Sequence, residues 1–228
     1  MNQTDCPPGH AELLAAQVLK VLGPADAWRP APSGYPDSLA LCILDAIWSM
    51  GVRYGAVENV VRRYRDVRRA GGGDVDRDGA SDLLRCIETL HGADAFAERL
   101  RNRQRVSTHA NAVRKAEAVH RAAQALCQAG VETVEDLRAA TTSPDEARVK
   151  GLWLALPGQG SGISWHYLLM LAGLPGVKPD RMICRFVGRA LGRKRVPPAE
   201  AACLVKRAAV LLDVSPTRLD HEIWRYER

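Results

Sequence analysis

The sequence has few aromatic residues, no strand-like patterning and no long apolar run. Aromatic residues make up 5% of the 228 residues, and alternating apolar and polar stretches are hard to find. No run of 18 apolar residues occurs, and the polar N-terminus, residues 1–10, has no apolar signal-peptide segment. These absences argue against a β-rich or membrane-spanning protein, and we expect a cytoplasmic one.

Cysteine is present but is not arranged for a metal cluster. The six cysteines have no paired spacing, and no C-x-x-C occurs. The C-terminal region holds only Cys184 and Cys203, too few for a four-cysteine iron–sulfur site. In a reducing compartment we expect small buried hydrophobes or idle thiols at Cys6, Cys42, Cys86, Cys127, Cys184 and Cys203.

Helix-forming residues dominate the composition of the sequence. Hydrophobic residues make up 46% of the chain, enough for a substantial core, and 32 Lys and Arg against 26 Asp and Glu give a net charge of +6, which favours an anionic partner. Apolar residues recur at three- and four-residue spacing, which predicts an all-α protein. The predicted helices lie near 10–22, 37–50, 53–69, 80–90, 93–102, 108–129, 134–140, 144–154, 162–173, 180–191, 197–212 and 215–226.

Proline and glycine mark the breaks between these helices. Residues 24–36 form a linker after the first helix, and residues 71–79 form a surface loop. We predict an N-terminal helix and linker, residues 1–36, that packs with the C-terminal part, a helical subdomain over 37–140, and a second subdomain over 141–228.

The loop Asp74–Gly79 opens like a calcium-binding loop, because it reads D-x-D-x-D-G. The bidentate glutamate that such a loop needs at its twelfth position is replaced by Arg85, whose charge would repel the ion. We therefore expect no metal there, and interpret the segment as a solvated acidic loop that caps a helix.

The glycine-rich turn Leu156–Gly162, LPGQGSG, lies between two predicted helices. It lacks the G-K-[ST] of a P-loop, and no strand precedes it as a dinucleotide-binding turn requires. Glycine backbone can approach an anion closely, and the free N–H groups at the start of the second helix would face a phosphate. An ordinary helix–helix turn would also need glycine, so both interpretations stay open here.

Asp180 follows one helix later, at the predicted start of another helix. Aspartate is a favoured N-cap residue, and that structural role alone would explain it. A capping carboxylate is also held rigidly, as a catalytic acid must be, so the two roles are compatible.

The segment LPGQGSGISWHYLLMLAGLPGVKPDRMICRFVGRALG resembles the signature of the helix-hairpin-helix DNA glycosylase superfamily, an L-P-G-x-G hairpin followed about twenty residues on by an essential aspartate. The runs 38–64 and 111–137 also resemble family helices, so the likeness covers roughly 37–192. The resemblance implies two interlocked helical subdomains and a helix-hairpin-helix DNA-binding motif. It also implies that the target base is flipped out of the duplex. Asp180 would then stabilise the oxocarbenium-like sugar and orient or deprotonate a water at C1′.

Departures from the family pattern narrow the expected chemistry. Gly162 stands where bifunctional members carry a lysine, so no Schiff base and no lyase activity are expected. Cys42 stands near the place of the glutamate of the adenine-excising branch, and the iron–sulfur cluster is missing. The resemblance thus implies a monofunctional glycosylase acting on an alkylated base in repair, or on a bulky base such as the glucosylated cytosine of phage DNA in defence. The alternative is a non-catalytic protein that binds DNA or a partner through the hairpin.

The resemblance also implies the site residues and partners. Double-stranded DNA is the expected partner of a monomeric, nucleoid-associated protein without a cofactor, although a monovalent cation at the hairpin is compatible with the motif. Asp180 is the catalytic candidate. The DNA-binding candidates are Leu156, Gly158, Gln159, Gly160, Ser161, Gly162, Arg181 and Arg185. The candidates for the pocket or for the wedge that enters DNA are Asp45, Ile47, Trp48, Tyr54 and His166.

Overall fold

A computed structural model describes Pro7 and residues 9–228; Cys6 and the rest of the predicted polar segment before Pro7 lie outside the described residues. Twelve α-helices and one short 3-10 helix, Ala25–Ala27, form in the described part, which contains no β-strand. The all-α class is therefore confirmed. Within the same part of the chain, no helix is both long enough and apolar enough to cross a membrane.

The chain divides into two compact units. The terminal unit contains the residues up to Pro32 together with Pro175–Arg228, and the central unit contains Ser33–Leu174. The boundary after Leu174 differs from the predicted one near residue 140, because residues 141–174 belong with the central helices. The segment before Pro32 groups with the C-terminal helices.

The central unit is built around one helix that is buried on every side. Its helices are α2 (Leu39–Trp48), α3 (Tyr54–Ala70), α4 (Ala80–Thr89), α5 (Ala93–Arg99), α6 (Lys115–Gln128), α7 (Val134–Thr141), α8 (Glu146–Leu154) and α9 (Ile163–Leu171). All ten residues of α2 are buried, and the helix packs against α3, α4, α6 and α9. Every residue of this helix except Asp45 is apolar, so the helix has no polar face to offer to water and lies in the core.

The terminal unit joins the first helix to the last three. Its helices are α1 (His10–Leu22), α10 (Arg181–Ala190), α11 (Pro198–Leu211) and α12 (Pro216–Glu227). Proline opens both α11 and α12, where a missing N–H costs nothing. α1 packs mainly on α11, and α12 packs on α10 and α11, so the apolar faces of all four helices share one core.

Two expectations are wrong in detail. The helix predicted over 108–129 begins only at Lys115, because Arg105 and Arg114 form an antiparallel bridge and the Val106 N–H donates to the Val113 carbonyl at 3.0 Å. Cys203 forms a disulfide, so its sulfur is not the idle thiol expected.

Candidate functional site

Asp180 is the N-cap of α10. The Met182 and Ile183 N–H groups donate to its Oδ1 atom at 2.8 and 3.3 Å. The side chain is partly exposed, and its Oδ2 atom accepts no hydrogen bond from the described residues. The carboxylate is thus fixed by one oxygen, and the other oxygen is available to a ligand.

The glycine turn between α8 and α9 has the conformation that its glycines allow. Gly158 and Gly162 have φ of 77° and 75°, in the left-handed region that side chains disfavour. Gly162 is the N-cap of α9. In the described part of the chain, the Gly160 and Ser161 N–H groups find no acceptor, and both residues are exposed. An anion at this helix start would receive those two N–H groups.

Buried side chains behind the turn hold α8 and α9 together. The Trp153 indole N–H donates to the Ser164 hydroxyl at 3.0 Å, and the rings of Trp153 and Trp165 lie 6.4 Å apart. All three residues are buried. These buried contacts fix α8 and α9 relative to each other, and the turn connects them.

Two of the predicted DNA-binding side chains are not at the surface. Leu156 is 8% exposed and Gln159 is 1% exposed. The Gln159 amide Nε2 donates to the Pro157 carbonyl at 3.0 Å, so this side chain fills the inside of the turn. DNA contact through either side chain is excluded by this burial, and only their backbone remains a candidate.

The predicted wedge residues are also in the core. Ile47 and Trp48 belong to α2 and are 0% exposed, so neither side chain is at a surface from which it could enter DNA. The reason is the all-round burial of α2, in which every residue except Asp45 is apolar.

Asp45 lies at the centre of a cluster of tyrosines. Its side chain is fully buried in α2, and its Oδ2 atom accepts hydrogen bonds from the hydroxyls of Tyr35 at 3.0 Å and Tyr54 at 3.4 Å. Tyr167 hydrogen-bonds to Asp45 as well. Burial first, and then the charge of Asp45, raise the pKa of all three hydroxyls, so they stay protonated donors. We call Asp45, Tyr35, Tyr54 and Tyr167 the tyrosine cluster.

Sequence reasoning found Asp45 and Tyr54 but missed Tyr35 and Tyr167. Tyr35 lies in the segment predicted to be a linker, and its N–H donates to the Leu171 carbonyl at 2.7 Å at the end of α9. The tyrosines are partly exposed, whereas Asp45 is not. The cluster therefore presents aromatic surface with a buried carboxylate behind it.

Arg181, His166 and Arg185 complete the candidates for DNA binding and for the pocket. Arg181 is exposed at the first turn of α10, and His166 is partly exposed on α9. Arg185, a predicted DNA contact, is instead paired with Glu227: its Nε donates to the buried Glu227 carboxylate at 2.5 Å, and its Nη2 donates to the Glu227 carbonyl at 2.7 Å. A guanidinium held in this way supports α12 and is not available as a free cation.

Four of the five arginines of α3 also have partners inside the central unit. Arg62 pairs with Asp66 at 4.0 Å, Arg65 with Asp76 at 2.9 Å, and Arg68 with Asp78 at 2.5 Å. The Arg63 guanidinium donates to the Leu100 carbonyl at 2.8 Å. The acidic loop is therefore not simply solvated, since the Asp78 side chain is 2% exposed and also accepts the Tyr64 hydroxyl at 2.8 Å.

Lys115 and Asp220 are two of the buried ionisable residues that sequence reasoning missed. Lys115 is 1% exposed, and its Nζ donates to the carbonyls of Trp48 at 2.8 Å and Met50 at 2.6 Å, at the end of α2. Asp220 is 6% exposed in α12, and its Oδ1 accepts the Lys178 N–H at 2.9 Å. No sequence signal marks either residue, because charged residues on amphipathic helices are usually solvated.

Comparison with known proteins gives a family match. The family model described as Domain of unknown function (DUF8548) matches residues 12–228, which include residues of both units. Neither a curated protein nor a solved structure matches the chain.

Proposed function

This chain belongs to the DUF8548 family, and we propose that it is a monofunctional DNA glycosylase with Asp180 as its catalytic carboxylate. The observation that carries the proposal is the Asp180 N-cap. One carboxylate oxygen is fixed by two backbone N–H groups, and the other is free of partners among the described residues. A fixed carboxylate can stabilise the cationic sugar that develops as a base leaves, and it can orient the water that attacks C1′.

The turn between α8 and α9 supports the choice of DNA as the substrate. In this proposal it forms the hairpin of a helix-hairpin-helix motif, and the Gly160 and Ser161 N–H groups bind a backbone phosphate. Such contacts fix the position of the DNA without reading its sequence, which suits an enzyme that searches for one altered base.

Gly162 determines the type of glycosylase. Because no amine stands at this position, a covalent imine with the sugar cannot form there, and water must take the place of the base. The product would be an abasic site in an unbroken strand.

A single catalytic carboxylate suits a cationic alkylated purine better than a glucosylated cytosine. An alkylated purine such as N7-methylguanine carries a positive charge. A positively charged base is a better leaving group, so one carboxylate, Asp180, suffices for its excision. A neutral glucosylated base would require a roomy, polar surface instead.

The test measures free base released from three duplexes, containing N7-methylguanine, glucosylated hydroxymethylcytosine or only ordinary bases. We expect release of N7-methylguanine, and strand breaks that appear only after alkali. Breaks without alkali would contradict the monofunctional assignment, and release of the glucosylated base alone would contradict the alkylpurine assignment.

The Asp180→Asn variant tests the catalytic role without removing the cap, since asparagine caps helices as well as aspartate does. We expect base release to slow by about 10²–10⁴-fold, the usual contribution of a positioned acid–base group, with unchanged DNA affinity and stability. Asp145→Asn is the matched control, because Asp145 is the N-cap of α8 and makes no side-chain capping bond. If both variants kept wild-type rates, or if no duplex lost a base, a DNA-binding protein without catalytic activity would be the better description.

A further inference from the structure

The segment before Asp180 is tied to α12 by two hydrogen bonds. The Gly176 N–H donates to the Thr217 hydroxyl at 3.0 Å, and the Lys178 N–H donates to the Asp220 Oδ1 atom at 2.9 Å. Thr217 and Asp220 are three residues apart, so they lie on the same face of α12. The backbone that leads to Asp180 is therefore held from one side by the first turns of α12.

Lys178 connects Asp220 with Asp180. Its N–H is held by Asp220, and its carbonyl accepts the Asp180 N–H at 2.7 Å. Two consecutive short bonds thus run from the Asp220 carboxyl through one residue to the backbone of the N-cap. A displacement at Lys178 would move the Asp180 carboxylate, because the Lys178 carbonyl is hydrogen-bonded directly to the Asp180 N–H.

Asp220 is an unusual choice for such an anchor, since a buried carboxyl group is costly. Burial first, and then the nearby charge of Asp180, raise the pKa of Asp220 to about 8, against the opposing effects of the Lys178 N–H and charge. At neutral pH the side chain is therefore an uncharged acid. It accepts the Lys178 N–H without placing a second negative charge beside Asp180.

We infer that Asp220 is a positioning residue that fixes the Asp180 carboxylate through the backbone of Lys178. The inference rests on the proposed function for its effect on rate, but its structural part is independent of catalysis. Asp220 is too deeply buried to touch a substrate, so its effect passes through Asp180.

Three variants separate positioning from other roles. Asp220→Asn keeps the Oδ1 acceptor and cannot ionise. Asp220→Ala removes the acceptor, and Asp220→Val removes it while leaving a smaller cavity. Each is compared with the wild-type full-length chain by single-turnover release of N7-methylguanine, by DNA affinity, and by hydrogen exchange of the Met182 and Ile183 amides that Asp180 caps.

A positioning role predicts that the alanine and valine variants lose about 10²-fold in rate, as a misplacement of about 1 Å does, with unchanged DNA affinity. Their Met182 and Ile183 amides should exchange faster. The asparagine variant should keep the wild-type rate at neutral pH and the slow exchange. Above pH 8 the wild-type rate should fall as Asp220 ionises beside Asp180 and Lys178, and the asparagine variant should not show this fall.

The exchange measurement distinguishes the two proposals. If the wild type releases no base, the proposed function fails, and exchange at Met182 and Ile183 alone still decides the positioning role. Wild-type exchange in the alanine and valine variants would overturn the inference. So would an asparagine variant as slow as the alanine one, because the carboxyl would then be needed for itself. If neither apolar variant folds, Asp220 serves the whole unit and the inference is wrong.

Discussion

Alanine substitutions at the three glycines of the turn between α8 and α9 should have sharply different costs. Gly160 has no positive φ, and an added Cβ would lie 3.7 Å from its nearest neighbour, the Leu154 carbonyl oxygen. Gly162 has a φ of 75°, with 3.6 Å of clearance to the Leu154 side chain. Gly158 has a φ of 77°, and an added Cβ would meet the Val106 Cβ at 2.7 Å.

These differences set the expected free energies of unfolding. The Gly160→Ala variant should be unchanged or more stable by about 0.4–1 kcal/mol, because alanine restricts the unfolded chain. The Gly162→Ala variant should lose about 1 kcal/mol, the cost of a left-handed alanine. The Gly158→Ala variant adds a steric clash of about 1–3 kcal/mol to that cost, because the Val106 backbone is held by its bond to Val113 and cannot easily retreat.

Urea denaturation of the three variants, monitored by tryptophan fluorescence because Trp153 and Trp165 lie behind the turn, gives the comparison. The expected order of stability is Gly160→Ala, then Gly162→Ala, then Gly158→Ala. If the Gly158 variant unfolded at the same urea concentration as the Gly160 variant, the geometry of the turn described above would be refuted.

Two further predictions concern the buried ionisable side chains of Lys115 and Asp220. Lys115→Met should lower the free energy of unfolding by about 2–3 kcal/mol, because the Trp48 and Met50 carbonyls lose a charged donor. Lys206→Met, at an exposed position of α11, is the control. Equal losses of stability for the two variants in urea denaturation would contradict the role of Lys115 as a donor to the end of α2. The raised pKa of Asp220 means that the folded chain keeps a proton which the unfolded chain releases above about pH 4. As the pH rises from 4 to 8, the wild type should therefore lose free energy of unfolding relative to Asp220→Asn. The loss should be on the order of 5 kcal/mol for a pKa shift from 3.8 to about 8, and it should not increase further above pH 8. Parallel curves of stability against pH for the two proteins would refute the shift.

The helices could be predicted because they depend on local signals. Apolar spacing predicted the helices, and the cap residue Asp180 marked a helix start that the structure reproduces. The start of α6 was wrong because the bridge between Arg105 and Arg114 is a non-local pairing. Spacing along one helix carries no information about such a partner.

The candidate site was predictable only where one segment contains it. The turn and Asp180 lie in one continuous segment of the sequence, so their positions at the start of α9 and α10 could be predicted. The tyrosine cluster brings together side chains from α2, α3, α9 and the segment before α2, and Asp220 reaches Asp180 across helix packing. Burial also decides which candidates are excluded, and the apolar α2 placed Ile47 and Trp48 in the core, away from any ligand.

The pairing of the α3 arginines has a consequence for how the protein would bind DNA. A cation that already neutralises a carboxylate of its own chain releases few counterions when it approaches a phosphate, so the total of 32 Lys and Arg overstates the number of cations available to DNA. If binding depends instead on the uncharged N–H groups of Gly160 and Ser161, the logarithm of DNA affinity should decline only shallowly with the logarithm of salt concentration. The protein would then keep most of its DNA affinity at salt concentrations that dissociate proteins bound through many free lysines and arginines.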